Sequence, residues 1–310
     1  MVSPLAPTYG IWLTSMWLAT ILYGMGLLQT WLYFHWYSQD HWGVRMTVIC
    51  LIVFETLQIT FFFGATYAAL INNFGDFPAL FVITWVDSAQ LLAGYLSAFT
   101  VQMYFAYCLY LLNKKHKIVT VLIMALALTQ IGAGVAQTIK TTILGSFLTI
   151  DSTKQITSLQ SASALACDLV ITVALYQTLK SKKNGLKDTN TLLQKLMINA
   201  INRGALTAVA AAINLTLFLA LPGTFYFFLG LMTSSKLYMN SMLATLNTRQ
   251  HIMRATQSSD HAWNSIHLAG LSTASSETGT QMVTRLNRDG TELAGIESGI
   301  MKPNFVENMI

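Results

Sequence analysis

The sequence predicts an all-α, multi-pass transmembrane bundle of seven helices, with the N-terminus outside and the C-terminus cytosolic. Three observations carry that expectation. Of the 310 residues 54% are hydrophobic and only 10% charged, whereas soluble domains are near a quarter charged. Mean hydropathy is +0.51. Seven segments reach the roughly 20 mostly apolar residues that a helix needs to cross the hydrocarbon core. They run 10–37, 45–71, 82–112, 118–139, 159–179, 191–220 and 224–247.

Taken in order, the first span lies within a stretch that has no Asp, Glu, Lys or Arg before Asp40. It lacks a basic n-region and is longer than a signal-peptide core, so it is expected to remain a helix. The second carries Cys50 and Glu55, and the third opens near Asp87 and ends in "YFAYCLYLLN". The fourth holds Gln137. The fifth and sixth contain "SASALAC" and "GALTAVAAA", small residues that let backbones approach closely. "LPGT" at 221–224 reads as a tight turn. The seventh span carries Lys236. Beyond the transmembrane domain, 1–250, the Ser/Thr-rich stretch 251–310 is expected to be a disordered cytosolic tail.

Orientation follows from the basic residues. Loops one, three and five and the start of the tail hold ten Lys and Arg; the N-terminus and loops two, four and six hold two, Lys140 and Lys154. That asymmetry puts the richer side in the cytosol. Trp12 and Trp17 then fall in the outer aromatic belt, and Trp31, Trp36 and Trp42 in the inner one. A pI of about 9.1 is explained by these loops, and no zinc-finger or RNP pattern supports nucleic-acid binding. Cys50, Cys108 and Cys167 each lie in an apolar segment, which argues for buried thiols over disulfides or a metal site. No cofactor is implied. The partners expected are membrane lipid and a small apolar or amphipathic ligand.

Besides Arg45 and Lys195 near span ends, five charges lie inside the spans: Glu55, Asp87, Asp168, Arg203 and Lys236. Each would cost roughly 2.5–3.5 kcal/mol facing lipid at a helix centre. By helix rise, all but Asp87 sit about 15–18 Å from the inner surface. The expectation is an intramembrane charge network of Glu55, Asp168, Arg203, Lys236 and Asn240. Lys236 is too deep to snorkel. It is paired with Asp168, and Asn240 supplies a supporting hydrogen bond one turn below. Such a network is either glue for the bundle or a functional centre. Asp87, Gln90, Gln137 and Asn214 lie above the midplane. They are expected to line a pocket open to the outside, with Trp85 at its rim.

Several stretches resemble a known family: "LYGMGLLQTWLYFHWY", "YAALINNFG", "ACDLVITVALYQTLK", "LMINAINRGALTA" and, most specifically, "SKLYMNSMLATLNTR". The chain resembles, over about residues 10–250, the fungal, mainly basidiomycete, seven-helix membrane proteins. Their shared region is catalogued only as a domain of unknown function (the 6534 type). Where that family's third helix ends with an Arg after its aromatic pair, Cys108 stands here. The resemblance implies a fold and a membrane location, and no activity.

The favoured function is a receptor- or sensor-like seven-helix protein of the plasma membrane. A rhodopsin-like G-protein receptor would show an acid–Arg–aromatic triplet and Asn-Pro-x-x-Tyr, and neither is present. The alternatives are a membrane-embedded enzyme of the terpene-cyclase kind and a transporter or channel. All five prolines lie outside the spans, which disfavours hinged transporter helices. A retinal protein is disfavoured because Met232 stands one turn before Lys236, where an Asp would be expected.

Overall fold

The fold is described by a computed structural model covering residues 5–112, 117–181, 187–221 and 223–248. The stretch 251–310 expected to be a tail lies outside the described residues, as do the side chains of Asn199 and Arg203.

Among the described residues seven long helices make an all-α bundle: α1 (Ile11–Trp36), α2 (Trp42–Tyr67), α3 (Trp85–Leu112), α4 (Lys117–Leu144), α5 (Lys154–Ser181), α6 (Lys187–Ala220) and α7 (227–248). Among the described residues five helical stretches are long and apolar enough to cross a membrane, and α6 adds a shorter apolar run, Gly204–Ala220. The protein is therefore an integral membrane protein. Here the end at which α1 begins is called the upper end.

α4 and α5 run past the apolar segments read from hydropathy. Their ends, "TIKTTIL" and "KQITS", continue the helix in polar residues. Lys140 of that extension donates to the Ser152 carbonyl at 2.5 Å. α3 starts at a capping box. The Asp87 carboxylate accepts from the Thr84 backbone N–H at 2.8 Å and its hydroxyl at 2.7 Å, satisfying a donor that the helix start leaves free.

The connections at the upper end interlock. Gly145, at φ +61°, turns the chain after α4. Ile83 N–H then donates to the Gly145 carbonyl at 2.9 Å. Phe225 N–H donates to the Pro7 carbonyl at 3.0 Å, and the Tyr9 hydroxyl to the Leu80 carbonyl. Beneath these ties lies an aromatic cluster. The Trp12 ring packs 4.5–5.9 Å from the rings of Phe228, Phe62, Phe225 and Phe147, and its indole N–H donates to the Thr66 hydroxyl at 2.8 Å. Trp12 is thus 1% exposed, a core residue and not a belt residue. Trp17, Trp31, Trp36 and Trp42 are exposed. Cys108 and Cys167 are buried, whereas Cys50 is exposed, against expectation.

The lower half is held by a second cluster of aliphatic and methionine side chains, including Val48, Leu51, Val101, Ile171, Met239 and Met242. α7 runs through the middle of the bundle, and none of residues 224–248 is exposed. Its Asn240 amide donates to the Leu22 carbonyl of α1 at 2.9 Å, and Asn247 to the Gln29 carbonyl at 2.9 Å. The two rungs are seven residues apart on both helices, the repeat at which two parallel helices keep the same faces together.

Candidate functional site

Between the two clusters lies a layer of buried polar side chains centred on Lys236, which is 1% exposed. Its ammonium donates to Glu55 Oε2 at 2.5 Å and also to Gln58 Oε1. Glu55 and Gln58 are three residues apart on α2, so both face α7. The second carboxylate oxygen of Glu55 accepts from the Ser97 hydroxyl of α3, and Gln58 Oε1 accepts from Ser235 at 2.6 Å. The ring of Tyr23 on α1 lies 6.0 Å from the ammonium, within cation–π range. Buried charges persist only when paired and hydrogen-bonded, and this lysine has both kinds of partner from its neighbours.

The expected pairing of Lys236 with Asp168 is corrected: Lys236 pairs with Glu55. The Asp168 carboxylate accepts from the Tyr238 hydroxyl at 2.5 Å. The cause is angular. Residues two apart on a helix diverge by about 200°, so Lys236 points toward α1 and α2 while Tyr238 points toward α5. Depth alone could not separate the two acids, because both are fully buried. Asn240 is corrected too. Its amide donates to the main-chain carbonyls of Lys236 (2.8 Å) and Leu22, tying α7 to α1 instead of steadying the ammonium. Near Asp168, α5 and α6 touch closely. A Cβ on Gly204 would meet Thr172 Oγ1 at 2.0 Å, and Thr172 lies one turn beyond Asp168.

Above this layer, Asp87, Gln90, Gln137 and Asn214 line one cavity of about 40 Å³. A second cavity of about 40 Å³ adjoins it, reaching down to Gln58, Ser235 and Tyr238. Six residues line both: Leu91, Tyr95, Gln160, Asn214, Leu231 and Met232. The Tyr95 hydroxyl donates to Gln137 Oε1 at 2.7 Å across the upper cavity. Two features depart from expectation. Buried rings of Phe147, Phe218, Phe227 and Phe228 line the upper cavity beside the polar residues. Trp85 is 69% exposed, packs on Phe61 and takes no part in the lining.

Sequence reasoning missed Gln58, Ser235, Tyr23 and Tyr238. The one signal available was the three-residue spacing of Glu55 and Gln58, a second polar group on the same helix face. No group of three metal-binding side chains occurs among the described residues.

These features define a class, an integral membrane helical bundle with a buried polar core. Within it, the model of a "Family of unknown function (DUF6534)" matches residues 164–251, from the middle of α5 through α7. No curated protein and no solved structure matches the chain.

Proposed function

We propose that the protein is a receptor-like membrane sensor whose stimulus acts on the polar column running from Asp87 to Lys236. The observation that carries this reading is the joining of two polar cavities to a buried ion pair on the central helix. A stimulus that reshapes the column would be felt by α7, which touches α1, α2, α5 and α6. The stimulus is a small apolar or amphipathic ligand. Drug-sized ligands need roughly 300–1,000 Å³, so entry requires the aromatic lid to part. The engagement of every intramembrane acid favours this reading over an enzyme. Glu55 is paired with Lys236, Asp168 accepts from Tyr238, and Asp87 caps a helix, whereas a general acid must present a proton to substrate.

In this reading the upper end faces outward and the lower end faces the cytosol, in the plasma membrane. The basic-residue asymmetry supports that orientation. The resemblance to fungal seven-helix proteins belongs to the same reading. So does Arg203 as a further partner of Asp168, supported by the close α5–α6 approach at Gly204.

The test is thermal unfolding of purified protein against a panel of long-chain alcohols, fatty acids and sterols. A binding member should raise Tm, and Asn214→Leu, which changes a residue shared by both cavities, should abolish the shift. A panel with no effect on the wild type, or shifts that Asn214→Leu leaves intact, rejects the ligand site. A C-terminal tag accessible only after permeabilising cells tests the orientation.

A further inference from the structure

Three buried polar atoms in the column have no hydrogen-bond partner among the described residues: Gln90 Oε1 and Thr141 Oγ1 on the upper cavity, and Gln130 Oε1 on the lower. Their residues are 2%, 5% and 1% exposed. Buried polar groups are nearly always satisfied, by protein or by ordered water. Here no protein group does it, and lipid cannot.

The space fits water. A cavity needs roughly 10–15 Å³ to hold one, and each of these has about 40 Å³. A water also needs two to four polar partners. The upper cavity offers Gln90, Thr141, Gln137 and Asp87, and the lower offers Gln130, Gln160, Ser235 and Gln58. Cavities that stay dry are lined by apolar side chains alone, whereas these set amides and hydroxyls among their apolar walls.

We propose that the two adjoining cavities form one water-binding compartment, with a hydrogen-bonded file of waters running from the Asp87 cap to the Gln58–Ser235 pair. The waters complete the bonding of Gln90, Thr141 and Gln130. The file ends at Ser235, whose hydroxyl shares Gln58 Oε1 with the Lys236 ammonium. It therefore links the upper end of the bundle to the ion pair through hydrogen bonds. The compartment stands apart from the sensor reading: water occupies it in the absence of any ligand.

Radiolytic footprinting of full-length protein in lipid nanodiscs tests this. Hydroxyl radicals formed from bound water oxidise the side chains beside it. Met232 lines both cavities and is 2% exposed; Met239, on the same helix, is 0% exposed and lines neither. In the wild type Met232 should be oxidised several-fold faster than Met239. Gln130→Leu with Thr141→Val should bring its rate down toward that of Met239. Equal rates for the two methionines in the wild type overturn the proposal, and that comparison stands even if the variant does not fold. A high-resolution map showing the three atoms bonded to repositioned protein groups overturns it as well.

Discussion

The polar layer and the aromatic lid are both buried, yet they are held by opposite means. At Lys236 a few directional contacts carry the structure. Around Trp12 many ring contacts at 4.5–5.9 Å share the load. A fault in the first is concentrated on one group. A fault in the second spreads over several neighbours that can shift. The lesson is that equal burial does not mean equal sensitivity to substitution.

The sharpest way to break the contrast is Lys236→Met, which strands the Glu55 carboxylate. Losing one member of a buried pair costs about 3–5 kcal/mol, seen as a large fall in Tm. Lys236→Met with Glu55→Leu should recover much of it, whereas Lys236→Met with Asp168→Leu should recover nothing. Rescue by the Asp168 change instead would restore the discarded pairing. Next comes Gly94→Ala. Its Cβ would sit 2.7 Å from Gln58 Nε2, and Gln58 is anchored by Lys236 and Ser235, so it cannot yield cheaply. Overpacking of this kind costs about 1–3 kcal/mol. In the lid, Trp12→Phe should cost about 1–2 kcal/mol, for the lost contacts and the indole bond to Thr66. A loss as large as that of Lys236→Met would erase the distinction between the regions. The smallest effect is expected for Asn240→Leu, about 0.6–1.7 kcal/mol, the range measured for interhelical hydrogen bonds in membranes. All four are read as Tm of purified protein in one detergent.

Hydropathy made the helices legible, because the membrane demands long apolar runs. It misjudged the ends of α4 and α5, where the helix continues in Thr, Lys and Gln. A hydropathy profile follows the apolar layer, not the backbone. The grouping of Asp87, Gln90, Gln137 and Asn214 could be read from height and helical stripe. The phenylalanines beside them could not, since they come from α6, α7 and the connection before α5. Depth likewise put Lys236 level with two acids and left its azimuth open. Trp12 looked like a belt residue because its position near a helix end is the same whichever way the ring faces. Asp87 could have been read as a helix cap from "TWVD", where Thr and Asp stand three apart.

The placement of α7 has a consequence for how the chain is made. α7, which carries the partners of both buried acids, follows α1–α6 in the chain. Before it is made Glu55 has no lysine and Asp168 no tyrosine, each an acid inside a nascent bundle at roughly 2.5–3.5 kcal/mol if it met lipid. The single segment "TSSKLYMNSML" brings both partners at once, the lysine to Glu55 and the tyrosine to Asp168.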